Sequence, residues 1–164
     1  MLRALVAIAL ATGIAHAETI VELPDTPTQL VLDDAWHQIE TKGAQPVAAY
    51  RHEAGLVLAV TRADTPNADA WIGARKQAYA DAVERGIRDA LPGYKRLSKR
   101  LVDAAGIPVL DVEARRAGGA TVVLRVLLYR TYALSLAIEV PAGGDVGIAR
   151  RLALEFAPPP LPPL

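Results

Sequence analysis

The stretch that most constrains this chain is "TVVLRVLLYRTYALSLAIEVP", Thr121 to Pro141. A run this apolar invites a membrane span, but Arg125, Arg130 and Glu139 are costly in lipid. Its β-branched and aromatic residues suit strands, so the run predicts a hairpin bending near Arg130-Thr131. Both alternating sets are apolar, Val122-Leu124-Val126-Leu128 on one side and Val123-Leu127-Tyr129 on the other. A sheet with such a strand must be covered on both faces.

Covers are available. Ala68 to Leu91 predicts a long helix, with Trp71, Ile72, Ala78, Tyr79, Ala82, Val83 and Ile87 on one broad side. Pro92-Gly93 ends it. Thr65 and Asn67 are its candidate N-caps, since short oxygen-bearing side chains accept from free amides of a first turn, and Asp69 suits the positive end of the helix. Asp145 to Phe156 predicts a second helix, with Val146, Ala149, Leu152, Ala153 and Phe156 inward, Arg150 at the margin and Arg151 turned away. Short strands are predicted at Thr19–Leu23, Leu30–Leu32, Trp36–Glu40, Val47–His52, Leu56–Arg62 and Lys95–Val102. A further segment begins at Gly106-Ile107-Pro108, and Gly118-Gly119 supplies a hairpin turn. The fold class is therefore α+β, an antiparallel sheet flanked by one long central helix and one C-terminal helix.

The opening "MLRALVAIALATGIAHA" has the order of a signal peptide: Arg3, an apolar core, and the small-x-small ending Ala15-His16-Ala17. Residues 1–17 are read as that leader, 18–157 as one domain, and 158–164 as a proline-rich disordered tail. The expected protein is exported, periplasmic or extracellular, soluble, and without a membrane span once the leader is removed. It has no cysteine, so packing rather than disulfides must hold it, and 52% apolar residues make that credible. With 18 basic and 18 acidic residues, nothing in the total charge points to nucleic acid.

Chemistry is sparse. Beyond the leader the histidines are His37 and His52, in no metal-ligand spacing, and common structural zinc sites need cysteine. Asp64, Asn67 and Asp69 lack the glycine turn and distal glutamate of a calcium loop. Ser98 and Ser135 lie in no nucleophile elbow, and Walker and dinucleotide fingerprints are missing. No cofactor, metal or catalytic residue is assigned. Asp111 and Glu113 on one strand face are ordinary for a solvated edge. Arg125, inside an apolar strand, needs a partner, and those two carboxylates are the candidates. One basic group, Arg85, Arg88, Lys95, Arg96, Lys99 and Arg100, is a tentative surface for an anionic partner, set against the blander reading of a solvated face.

The order of elements resembles a known pattern. An early strand carrying Trp36, the strand Leu56 to Arg62, a long helix, "AGIPVLDVEAR", a strand ending "YALSLAIEVP" and a closing helix ending "LEF" together resemble the PsbP-like α/β/α sandwich. That sandwich is shared by PsbP subunits, the Ran-release factor Mog and DcrB-type envelope proteins. The resemblance implies helices on both faces of an antiparallel sheet, and work by binding rather than catalysis. A cystatin-like or nuclear-transport-factor-like sheet is the rival fold. The functional expectation is a non-enzymatic module binding a protein or envelope component. The alternative is a small-ligand or lipid carrier with a pocket near Trp71, Tyr79 and Tyr132, and a hydrolase ranks third.

Overall fold

The structure, a computed structural model, describes residues 18–41, 46–65 and 73–159. The leader at 1–17 lies outside them, as do Asn67, Asp69, Trp71 and Ile72. Seven strands form one antiparallel sheet in the order β3-β4-β5-β9-β8-β7-β6. They are β3 (Trp36–Gln38), β4 (Ala48–His52), β5 (Val57–Asp64), β6 (Lys95–Ala104), β7 (Ile107–Arg115), β8 (Thr121–Leu128) and β9 (Tyr132–Val140). A separate two-stranded ribbon pairs β1 (Thr19–Glu22) with β2 (Gln29–Leu32). The helices are α1 (Lys76–Ala90) and α2 (Val146–Glu155).

The expected hairpin is present, with Leu128 opposite Ala133 across the bend. Every residue of β8 from Val122 to Leu128 is buried, as a strand covered on both faces demands. Val122, Leu124, Val126 and Leu128 join one core with Leu110, Val112 and the α1 residues Tyr79 and Ala80. Val123 and Leu127 join the other, with Leu58, Leu134 and Leu136 of the sheet, Ala149, Leu152, Ala153 and Phe156 at α2, and Leu30 and Leu32 of the ribbon. One face is thus covered by α1, the opposite face by α2 and the ribbon.

The ribbon is pinned at one end of the sheet by side chains. Thr28 Oγ1 lies 2.6 Å from the Tyr129 hydroxyl, the Tyr132 hydroxyl donates to Thr26 Oγ1, and Arg62 Nη1 donates to the Asp25 carbonyl. Tyr129 and Tyr132 stack at 4.6 Å, and the Arg62 guanidinium lies over the Tyr132 ring. His52 packs edge-on against Trp36.

Several expectations are corrected. The long helix starts at Lys76, not Ala68: Gly73 has φ +113, and Gly73 to Arg75 form a bend and turn. Its N-cap is Arg75 and carries no side-chain hydrogen bond, so Thr65 does not cap it; Asn67 and Asp69 lie outside the described residues. Ala78 is exposed and Ala80 takes the buried place beside Tyr79, because the inward stripe is rotated from the predicted one. β3 ends at Gln38, β4 begins at Ala48, and β6 continues past Val102 to Ala104. The second helix forms as read, capped by Asp145, whose carboxylate accepts from the Gly147 amide. Of the tail, Pro158 is buried and Pro159 exposed, and 160–164 lie outside the described residues.

Candidate functional site

Strand register builds the site. Arg100 of β6 stands opposite Asp111 of β7, and Asp111 opposite Arg125 of β8. All three face the α2 side, since their neighbours Val109, Val123 and Leu127 belong to that core. Asp111 accepts from Arg125 Nη1 at 3.1 Å through one oxygen and from Arg100 Nη2 at 3.0 Å through the other. Arg125 therefore has the partner its burial requires, and only 6% of it is exposed. Its Nε, however, is fully buried and has no hydrogen-bond partner among the described residues.

Two residues further along, Glu113 stands opposite Ser98 and Val123. It receives a two-pronged bond from Arg150 of α2, Nε to Oε2 at 2.9 Å and Nη2 to Oε1 at 2.8 Å. Nothing in the sequence marked Arg150 beyond its place at the helix margin. The partnership joins residues 37 apart. It ties the helix to β7, whereas the main packing of α2 is against β8, β9 and β2.

The result is a cleft of about 480 Å³ between the sheet and α2, its walls including Arg100, Asp111, Glu113, Arg125, Arg150 and Leu154. Apolar groups make up most of its surface, from Val123, Ala153 and Leu154. Leu154 is 59% exposed at the rim. Three guanidinium groups meet two carboxylates there, and the ammonium of Lys99, which also lines the cleft, is held by Asp81 and Glu84 of α1, so the site is left one positive charge in excess. That volume and mixture, apolar walls with a few converging polar groups, is the usual make-up of a ligand site.

The six tentative anion-binding residues do not form one surface. The register of β6 shifts between Arg96 and Ser98, and such a bulge puts Arg96 and Lys99 on the α1 side while Arg100 faces α2. Arg96 donates to Glu84; Lys99 donates to Glu84 at 2.8 Å and to Asp81. Arg88 pairs with Asp89 at 3.6 Å. Arg85 and Lys95 have no ion pair among the described residues. Burial would raise the Glu84 carboxyl, but bonds from Lys99, Tyr94 and Arg96 together hold it below its ordinary value. The Lys99 bond holds Asp81 low as well. Local counting of charges missed Asp81, one turn before Glu84, and Asp111 across the strand pair.

The supposed pocket near Trp71, Tyr79 and Tyr132 does not exist as drawn. Tyr79 belongs to the core under α1 and Tyr132 to the core under α2, on opposite sides of the sheet. Among the described residues no group of three or more His, Cys, Asp or Glu could hold a metal ion. No described helix is long and apolar enough to cross a membrane.

The architecture has solved counterparts. The solution structure of cyanobacterial PsbP (CyanoP) from Synechocystis sp. PCC 6803 superposes with a TM-score of 0.64 at 15% identity, covering 92% of this chain and 94% of that one. A crystal structure of PA94, a protein of unknown function from Pseudomonas aeruginosa, matches with a TM-score of 0.46 at 18% identity over 90% of this chain and 99% of that one. The fold is PsbP-like. These two structures do not extend the likeness to Mog-like or DcrB-type proteins. No family model matches the chain, and no curated protein matches it.

Proposed function

We propose that the chain is an exported, non-enzymatic module that binds a protein or cell-envelope component through the cleft between β6–β8 and α2. The observation that carries this reading is Arg125: a buried guanidinium, only partly satisfied by Asp111, in the wall of a mostly apolar recess. Interfaces and ligand sites concentrate their energy in such desolvated arginines framed by apolar groups. The PsbP-like fold supports a role in binding. We rest the reading on the cleft rather than on the six surface cations, because Arg88, Arg96, Lys99 and Arg100 already hold carboxylates. Charged residues on β6 also serve a structural end, since that strand is an edge of the sheet and charges discourage edge-to-edge pairing.

A small-ligand carrier is the second reading. It is favoured by the same cleft, which lies between sheet and helix, though at α2 rather than at α1.

The test is capture from native envelope extract with the tagged protein and with Leu154→Glu, a substitution at an exposed rim position. A component recovered by the wild type and lost with the variant supports the cleft. Equal recovery by both overturns it, and turnover of any substrate by the purified protein overturns the non-enzymatic reading.

A further inference from the structure

We infer that the cleft takes a monocarboxylate carried on an apolar body, with the carboxylate seated on the Nε edge of Arg125. The inference rests on the reading of this cleft as a binding site and adds the chemistry of its occupant.

A guanidinium presents two forks of parallel N–H groups, and carboxylates match either one with two bonds. In Arg125 the Nη1 corner is held by Asp111. Nε belongs to the other fork, is buried, and donates to nothing among the described residues. A buried donor without an acceptor is unfavourable; Nε lies out of reach of solvent, so an incoming carboxylate supplies the missing acceptor by parting the side chains that cover it. Charge agrees with this. Asp111 is shared between Arg100 and Arg125, Glu113 is taken by Arg150, and three cations face two anions. One added negative charge balances the site; two would leave it in excess.

The rest of the cleft argues for an apolar body. Val123, Ala153 and Leu154 line it together with the stems of the arginines, and a cleft of about 480 Å³ holds a chain of moderate length. Any small free amphiphile of this type satisfies the geometry, and octanoate is the probe.

The experiment is a titration of the purified protein with octanoate, followed through the Arg125 Nε–H resonance and the backbone amides of β7 and β8. Octanol, octylamine and octyl phosphate are titrated in parallel. The expected result is saturable octanoate binding with a downfield shift of Nε–H, at least tenfold tighter than octanol. Arg125→Lys keeps the charge and loses the fork, and should weaken binding tenfold or more. Because that variant disturbs a buried pair, Leu154→Glu provides the check at an exposed position. It sets a like charge at the mouth and should also weaken octanoate by several-fold while leaving the melting temperature unchanged. Octanoate no tighter than octanol, or binding undiminished in both variants, overturns the inference. Octyl phosphate or octylamine moving the cleft amides where octanoate does not also overturns it, and leaves the binding-site reading standing. If no probe moves them, the carboxylate assignment fails, and envelope capture with Leu154→Glu decides the wider reading separately.

Discussion

Glu84 shows how one residue converts a row of positive charges into structure. Its carboxylate accepts from Lys99 Nζ at 2.8 Å, the Tyr94 hydroxyl at 2.9 Å and Arg96 Nη1 at 3.0 Å, joining α1 to β6. The folded carboxyl holds its proton less tightly than the unfolded one. Its stabilising effect is therefore complete above its ordinary value of 4.5 and is lost as pH falls below that. Glu84→Gln should cost about 1.5–3 kcal/mol at neutral pH, the usual range for a hydrogen bond to a charged group. It should also flatten the decline of the urea midpoint on acidification below 4.5; an acid limb as steep as the wild type's would refute the assignment. Tyr94 acts at the other end of the scale. Burial first, then Glu84, push its phenol up to about 12, so the folded protein keeps a proton that the unfolded chain loses near 10. Stability should fall as pH rises through that window, and Tyr94→Phe should remove this part of the loss. Absorbance at 295 nm should show one tyrosine fewer titrating in the highest range.

Among the elements, the end of α1 and the β7–β8 turn meet at a close approach of backbone to backbone. The Ala117 amide donates to the Pro92 carbonyl at 3.0 Å, and a Cβ on Gly93 would stand 2.8 Å from that same nitrogen. Gly93 also has φ +71, in the left-handed region. Gly93→Ala should destabilise by about 1–3 kcal/mol, whereas Gly118→Ala, at φ +85 with nothing within 4 Å, should cost about 1 kcal/mol. Thermal melts of the two variants should differ accordingly, and equal melting temperatures would remove the steric argument. Elements of this kind were legible in the sequence wherever local pattern decides them: the β8–β9 hairpin from its doubled alternation, α2 from its stripe, the turn from Gly118-Gly119. The start of α1 was not, because the inward stripe was extended through Trp71 and Ile72 and no local signal forces the break that Gly73 to Arg75 make. The Arg125–Asp111 pair could be foreseen, since a charge inside an apolar strand must look to its neighbours. The cleft could not. It depends on Arg150 reaching Glu113 and on where α2 stops short across the sheet, and both are set by tertiary packing.

At the scale of the whole molecule, β6, β7 and β8 carry Arg100, Asp111, Glu113 and Arg125 on the α2 side, at positions where core side chains could stand. A buried ion pair is seldom the most stable filling of such a position. Desolvating both ions costs several kcal/mol each, and apolar replacements of similar volume often match or exceed the pair in stability. If Arg125 and Asp111 exist for binding, the double substitution Arg125→Met with Asp111→Leu should leave the urea-derived stability unchanged or raise it by about 1–4 kcal/mol. Asp111→Leu alone should cost about 3–5 kcal/mol, because it strands a buried guanidinium. The double variant should at the same time lose the octanoate shift of the β7 and β8 amides. The large difference between single and double variants is a coupling that separate losses cannot produce. A double variant as unstable as the single one would mean that the pair is needed by the fold itself. Arg125 would then be a structural residue, with no stability forgone for the sake of a ligand.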